Sequence, residues 1–153
     1  MSLTSSMEDY LEAVLVLQKQ KGYARCVDVS EFLGVTKPSV SRAVKELSKK
    51  KCLLKKDDGT LSLTEQGQSI AKQIYEKHRF FTKQLIKAGV PCDIAEADAC
   101  RLEHVISETS FARLKEAATQ EQKIKIKRKT VGGHKAKHKN KQKKGEGESE
   151  DHG

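Results

Sequence analysis

The chain has 153 residues, 36% of them hydrophobic, which suits one domain with a modest core and room for an extended tail. The longest apolar run, AVLVL at 13–17, is far shorter than the ~18 residues that suggest a membrane span. The N-terminus lacks a secretory signal pattern, and the four cysteines form no C-x-x-C pair. We therefore expect a cytoplasmic protein with no membrane association, no zinc finger and no redox motif.

The positive charge is concentrated near the C-terminus. Residues 123–153 hold 11 Lys and Arg against four Asp and Glu, so they contribute +7 of the formal net charge of +9. Residues 1–122 hold 19 basic against 17 acidic side chains. Net charge alone therefore does not establish that the folded part binds nucleic acid, and a local arrangement of residues is required.

A first helix is predicted over about 7–19. Ser5 and Ser6 are candidates for its N-cap, and Glu8 and Asp9 suit the positive end of the helix.

The next two predicted helices are short and joined by a turn. The first covers 27–33, and Gly34 can end it because glycine tolerates the left-handed conformation. Thr36 can cap the second helix, and Pro38 fits its first turn. Two short helices joined in this way form a helix-turn-helix pattern.

Two short strands are predicted within 52–64, on either side of Asp58 and Gly59. This dipeptide favours a tight hairpin in which both residues have positive φ. A hairpin directly after a helix-turn-helix is the order of a winged helix. Thr64 then caps a long helix that runs to about Ala88.

Two further helices are predicted over about 93–107 and 110–121, with Thr109 or Ser110 as caps of the second. The chain from 123 onward has almost no residues able to form a core, which favours disorder, although KIKIKRKTV alternates as a short strand would. We therefore predict a mainly α fold. Residues 1–72 are predicted to form a winged-helix domain, 73–122 a helical domain, and 123–153 a disordered basic tail.

The second helix of the helix-turn-helix has the polar and basic side chains that a recognition helix needs. Hydroxyls and Lys suit phosphate contacts, whereas the planar fork of Arg42 suits the two major-groove acceptors of guanine. The candidate DNA-binding residues of this helix and of the hairpin are Thr36, Lys37, Pro38, Ser39, Ser41, Arg42, Lys45, Lys55, Lys56 and Thr60.

Three metal-ligand types stand one helical turn apart at Cys100, Glu103 and His104. Spacing alone leaves two interpretations open, a metal site or an ordinary amphipathic helix. Asp9 and Glu12 share one side of the first helix, and their presence favours a metal site. So does His78, the only other histidine outside the tail.

Several motifs together resemble the diphtheria toxin repressor family of iron- and manganese-dependent regulators. They are SMEDYLEAV at 6–14, the helix-turn-helix with its hairpin, KHRFF at 77–81 and CRLEHVIS at 100–107. The resemblance implies a homodimer that binds palindromic operator DNA when Fe(II) or Mn(II) is bound and represses metal-uptake genes. It implies that residues 1–72 are a winged-helix DNA-binding domain and that residues 73–122 are a helical metal-binding and dimerisation domain. It also implies a set of six metal ligands: Asp9, Glu12, His78, Cys100, Glu103 and His104.

The match to the two branches of this family is mixed. Cys100 stands where the manganese branch has a glutamate and the iron branch a cysteine, whereas Asp9 and Glu12 agree with the manganese branch. The iron branch has an ancillary site, two positions of which are Thr82 and Glu96 here, so only Glu96 could contribute an oxygen. Because a thiolate shifts preference away from manganese, we expect Fe(II) rather than Mn(II) as the activating metal.

Two alternative functions are weighed against this one. A metal-independent winged-helix regulator would share the hairpin but would not need the six ligand positions. A thiol enzyme using Cys100 and His104 is disfavoured, because no Gly-rich loop, oxyanion element or orienting third group is evident, and we expect neither catalysis nor a small-molecule substrate. In the tail, His134, His138 and His152 could capture metal loosely, and the lysines attract DNA.

Overall fold

The computed structural model describes residues 3–139, with side chains up to 132. Within these residues the chain forms six helices and one two-stranded antiparallel sheet. The elements in chain order are α1 (Ser5–Lys21), α2 (Cys26–Leu33), α3 (Lys37–Lys49), β1 (Leu53–Lys55), β2 (Leu61–Leu63), α4 (Glu65–Lys87), α5 (Cys92–Val105) and α6 (Glu108–Lys139). The chain divides into two compact units after Ile106. The predicted mainly α fold with a winged helix-turn-helix is confirmed.

Helix α1 begins earlier than the sequence predicted. Its N-cap is Thr4, whose hydroxyl oxygen accepts a hydrogen bond from the backbone N–H of Met7 at 3.2 Å. The predicted caps Ser5 and Ser6 lie instead in the first helical turn, where serine is tolerated. The helix ends at Gly22, which has a φ of 85°.

The helix-turn-helix is confirmed together with its capping residues. Gly34 ends α2 with a φ of 66°. The side chain of Thr36 accepts a hydrogen bond from the backbone N–H of Ser39 at 3.3 Å, and Pro38 lies in the first turn of α3. Since these signals act within a few residues, the sequence was sufficient to locate both helices.

The hairpin is confirmed, but its turn differs from the prediction. Gly59 has a φ of 85°, whereas Asp58 does not have a positive φ. The backbone N–H of Gly59 bonds to the carbonyl of Lys56, and the N–H of Lys56 bonds to the carbonyl of Thr60, both at 2.9 Å. This is a three-residue loop that closes with a left-handed glycine. The Asp58 carboxylate accepts the N–H of Thr60 at 2.9 Å and its hydroxyl at 2.6 Å.

A single apolar core joins α1 to the helix-turn-helix and the hairpin. The side chains of Leu11 and Val14 on α1, Val40 and Leu47 on α3 and Leu53 on β1 are almost fully buried in it. Helix α4 packs against both α1 and α5, so α1 lies between the helix-turn-helix and the later helices. None of the helices in residues 3–139 is both long and apolar enough to cross a membrane.

Helix α6 extends further than predicted. Residues 123–139, expected to be disordered or to form a short strand, continue this helix. Lys, Arg, Gln and Ala are good helix formers, and no proline interrupts the segment. The hydroxyl of Ser107 accepts the backbone N–H of Ser110 at 3.1 Å, so the cap precedes Thr109. His152 and the side chains of His134 and His138 lie outside the described part of the chain.

Gly67 is the basis of a stability prediction, because it lies in the first turn of α4 against the backbone of Cys52. A Cβ at this position would overlap the carbonyl oxygen of Cys52, so either the helix or the hairpin must move. We expect Gly67→Ala to lower the free energy of unfolding by about 1–3 kcal/mol, measured by urea denaturation. The control is Gly132→Ala, since Gly132 is helical and has open space around its Cα. Equal stability of Gly67→Ala and the parent chain would contradict this account.

Candidate metal centre

Three helices bring the predicted ligands together in the first compact unit. Asp9 and Glu12 lie on α1, His78 lies on α4, and the remaining three lie on α5. Potential ligand atoms form two groups, each with all of its atoms within 4.8 Å of one another. The groups are His78–Cys100–Glu103 and Asp9–Glu103–His104. Residues that are up to 95 positions apart in the sequence therefore meet, and Glu103 is common to both groups.

Glu103 is the most buried member of the site, with 2% of its surface exposed. Its Oε2 lies 2.9 Å from Nδ1 of His78. Its Oε1 lies 3.4 Å from Nε2 of His104. When the neighbouring carboxyl groups are ionised, none of the described residues donates a hydrogen bond to this oxygen. Burying a carboxylate oxygen without a hydrogen-bond donor costs free energy, and a proton or a cation beside the oxygen would remove this cost.

Glu12 was not part of either group of ligand atoms, but it contacts Glu103. Burial raises the pKa of Glu12 to about 9, and its hydrogen bond to Glu103 and the negative charges of Glu103 and Asp9 add to this effect. Two carboxyl groups in contact cannot both be ionised without a large cost. Glu12 therefore holds a proton at neutral pH and donates it toward Glu103 when no cation is present.

His104 is held between two carboxylates of α1. Its Nε2 lies 2.7 Å from Oδ1 of Asp9, and its Nδ1 lies 2.8 Å from Oε2 of Glu8. Burial by itself would lower the pKa of His104, but the hydrogen bonds to Glu8 and Asp9 outweigh it and raise the pKa. The pKa of Asp9 is also raised, because burial outweighs the favourable interaction with His104.

Glu8 is the residue that the sequence analysis missed. It was interpreted only as an acidic residue at the positive end of the helix. A signal was available, since Glu8 and Glu12 are spaced i, i+4 and so share one face of α1. Its partner His104 is 96 residues away, and no local pattern identifies that pairing.

His78 and Cys100 complete the other side of the site. The hydrogen bond to Glu103 raises the pKa of His78 against the effect of burial, and the negative charges of Glu103 and Glu96 raise it further. Burial and the charges of three carboxylates raise the pKa of Cys100 to about 11. Cys100 is therefore a neutral thiol at pH 7 unless a cation lies beside it.

The donor set fits a divalent transition metal. It combines carboxylate oxygens, imidazole nitrogens and one sulfur, a mixture that such ions accept. The unsatisfied oxygen of Glu103 and the raised pKa of Glu12 both indicate a place where positive charge is needed. Glu96 is exposed, as Cys100 is, but unlike Cys100 it belongs to neither ligand group among the described residues, so its role in an ancillary site stays a prediction.

The predicted DNA-binding residues lie on α3 and the hairpin. Five of them are exposed on α3: Lys37, Pro38, Ser41, Arg42 and Lys45. Lys55 and Lys56 are exposed on the hairpin. The other three have contacts within the chain. The hydroxyls of Thr36 and Ser39 lie 2.8 Å apart, and the hydroxyl of Thr60 donates to Asp58.

Two family models match the chain. Residues 2–58 match "Iron dependent repressor, N-terminal DNA binding domain", and residues 64–122 match "Iron dependent repressor, metal binding and dimerisation domain". Residues 59–63 separate the two matches, which together include every residue of the candidate metal centre.

The chain is also similar to curated regulators. The HTH-type transcriptional regulator MntR of Bacillus subtilis (strain 168) is 35% identical over 111 residues, which are 72% of this chain and 78% of MntR. MntR of Geobacillus kaustophilus is 33% identical over 111 residues, which are 72% of this chain and 79% of that protein.

Solved structures of similar fold include IdeR of T. acidophilum, with a TM-score of 0.66 and 30% identity. The manganese regulator SloR has a TM-score of 0.67 and 28% identity. Each alignment covers 78% of this chain and 55% of the other chain, so this chain spans about half the length of these two solved proteins.

The raised pKa values predict how the stability of the metal-free protein depends on pH. The pKa of Glu12 is about 9 in the folded protein and 4.5 without the surroundings that the fold supplies. Glu12 therefore contributes stability that is fully present below pH 4.5 and is lost as the pH rises toward 9. The raised pKa values of His78 and His104 act in the same direction above about pH 6.5. We expect the Tm in the presence of a chelator to fall between pH 6 and pH 9. Glu12→Gln, which mimics the protonated acid, should have a shallower fall.

Circular dichroism melts at pH 6, 7.5 and 9 would measure both slopes. A Tm that rises over this interval, or equal slopes for Glu12→Gln and the parent chain, would contradict the assignment of the proton to the Glu12–Glu103 pair.

Glu8 gives a second prediction, which concerns metal affinity. A carboxylate that binds the outer nitrogen of a histidine fixes the ring so that its other nitrogen faces the metal, and loss of such a partner typically costs 10–100-fold in affinity. We expect Glu8→Ala to weaken Mn(II) binding by about 10-fold or more, measured by calorimetry. Glu8→Gln keeps an acceptor for Nδ1–H and should retain most of the affinity, whereas equal losses in both variants would contradict an orienting role.

Proposed function

The chain belongs to the iron dependent repressor family, the family of the diphtheria toxin repressor, and we propose that it is a homodimeric regulator that binds operator DNA when a divalent metal is bound. The single observation that carries this proposal is the position of Glu103. It lies buried between α1 of the DNA-binding part and the ligands of α4 and α5.

We propose the six predicted residues as the metal ligands: Asp9, Glu12, His78, Cys100, Glu103 and His104. When bound, a divalent ion supplies the positive charge that the cluster of carboxylates lacks. Without it, the proton on Glu12 and the pairing of His104 with Asp9 and Glu8 connect the helices, and we propose that these contacts are weaker than metal coordination because each depends on a proton that is lost as the pH rises.

The proposed coupling to DNA runs through α1. Its carboxylates face α4 and α5, and its apolar side chains pack in the same core as α3. A fixed position of α1 therefore fixes the position of α3. In a homodimer this would set the distance between two recognition helices to the ~34 Å that separates successive major grooves. Metal and DNA would then strengthen each other's binding by the same factor.

We propose that α3 lies in the major groove with Arg42 as the principal base-reading residue. Lys37, Lys45, Lys55 and Lys56 would contact phosphates, which position the protein without reading sequence. Thr36, Ser39 and Thr60 contribute mainly by holding the helix start and the hairpin turn, as their internal hydrogen bonds indicate.

Dimerisation is proposed for the helical part, in agreement with the description of the family model that matches residues 64–122. Ile86 on α4 and Ile94 on α5 are 45% and 49% exposed, which leaves apolar surface that a second copy could cover. A two-fold dimer reads a palindromic site, since each subunit contacts one half. The predicted domain boundary between residues 72 and 73 lies within α4. We therefore propose it as a division of roles, with DNA binding before it and metal binding and dimerisation after it. A cytoplasmic location follows from this function.

The identity of the metal is proposed as Fe(II) or Mn(II). The preference for Fe(II) rests on the Cys100 sulfur alone, since thiolates favour iron over manganese. The similar proteins do not support a preference for either metal. SloR is described as a manganese regulator, whereas the matching family models are described as iron dependent.

The alternatives are less well supported. The matched relatives are transcriptional regulators, so the chain is not a thiol enzyme, and we propose no small-molecule substrate. A metal-independent winged-helix regulator would have no need of a buried carboxylate oxygen without a donor in the middle of its helices.

Anaerobic binding measurements would test the proposal. Duplexes selected from a random pool in Mn(II) or Fe(II) provide an operator, and binding is then measured with metal and with a strong chelator. We expect metal to tighten binding by about 5–150-fold. Glu103→Gln should remove this dependence, whereas Glu65→Gln, an exposed control on α4, should retain it. Cys100→Glu should shift preference toward Mn(II). Full operator affinity in chelator would overturn the proposal.

A further inference from the structure

The stretch 123–132 of α6, here called the basic segment, takes no part in the metal site or the recognition helix. It has five Lys and Arg in ten residues and no Asp or Glu. All five of these cationic side chains are exposed: Lys123, Lys125, Lys127, Arg128 and Lys129. No ion pair to any of these five is found among residues 3–132.

The five cations surround the helix. An α-helix turns 100° and rises 1.5 Å per residue, so the positions 123, 125, 127, 128 and 129 are distributed over all sides within about 9 Å of helix length. The apolar neighbours Ile124, Ile126 and Val131 are 51%, 65% and 62% exposed. Ile124 and Val131 share one side two turns apart, but Lys127 and Arg128 lie between them, and Ile126 lies on another side. The segment therefore lacks the apolar face with which a helix enters a membrane interface or a protein groove.

A high density of positive charge without an apolar face fits a polyanion. Duplex DNA carries one negative charge per ~1.7 Å of its axis, so about 9 Å of duplex has about five phosphates, a charge density similar in size and opposite in sign to that of the basic segment. Lys and Arg that neutralise phosphates release condensed counterions, and this supplies affinity that does not depend on base sequence.

We propose that the basic segment is a second DNA-binding element, which holds duplex DNA through its phosphates without reading sequence and without metal. The protein then has two modes of binding. The metal-free protein stays loosely on DNA through the basic segment, and the metal-loaded protein adds the contacts of α3. Because both elements contact one polymer, binding by either raises the local concentration of DNA at the other.

The test uses the full chain in strong chelator and a duplex that lacks the operator. The probe is a fluorescent duplex of random sequence, titrated at 50, 100 and 200 mM salt. The test variant is Lys125→Gln/Lys127→Gln/Lys129→Gln. The matched control removes three exposed lysines of α4 in Lys72→Gln/Lys83→Gln/Lys87→Gln, so both variants have the same net charge.

We expect the parent chain and the control to bind the duplex and to lose affinity steeply with salt. If the three lysines of the test variant each contact a phosphate, its log–log salt slope should be shallower by about 2.7, which is about 40-fold less loss between 50 and 200 mM salt. Circular dichroism would establish that both variants keep their helix content.

Three outcomes would overturn the proposal. The first is absence of duplex binding by the metal-free parent chain at 50 mM salt. The second is an equal change of slope in the control, which would assign the effect to net charge. The third is binding to vesicles with anionic headgroups but not to the duplex. None of these results depends on operator recognition with metal, so they leave the proposed function to its own test.

Discussion

The arrangement around Glu103 is the constraint on which the rest of the first compact unit depends. This carboxylate is buried, contacts His78 through one oxygen, and leaves the other oxygen 3.4 Å from Nε2 of His104 without a hydrogen-bond donor among the described residues. Its hydrogen bond with Glu12 requires a proton between the two acids. A buried negative charge needs compensation, and here the compensating groups come from three different helices. The helices cannot separate without exposing an acid cluster that has lost its partners.

Helix α1 takes part in both the acid cluster and the apolar core, because it uses opposite faces for the two. One face contributes Asp9 and Glu12 to the acid cluster, and the other contributes Leu11 and Val14 to the core shared with α3. An element that is packed on both sides transmits displacement, because a well-packed core does not deform continuously. A ligand site built on this helix is therefore able to influence the position of the recognition helix without touching it.

The distribution of charge separates the two proposed modes of DNA contact. The surface of the first compact unit carries both acidic and basic residues, and among the basic ones are those of α3 and the hairpin. The basic segment has cations on all sides and no acid. Contacts made by α3 and the hairpin depend on how these elements are placed, and this placement depends on α1. Contacts made by the basic segment depend only on its density of positive charge.

The sequence determined what is decided within a few residues. Gly34, Thr36 and Thr64 located helix ends because capping hydrogen bonds are local, and the spacing of Cys100, Glu103 and His104 placed three ligand types on one turn. For the α1 and α4 ligands the sequence supplied a family resemblance, but not the geometry of their contacts. Only the tertiary structure decided that Glu8 pairs with His104, that Glu103 serves both ligand groups, and that Glu96 lies outside them. These outcomes depend on how α1, α4 and α5 pack, and side chains almost a hundred residues apart leave no local pattern that reports their distance.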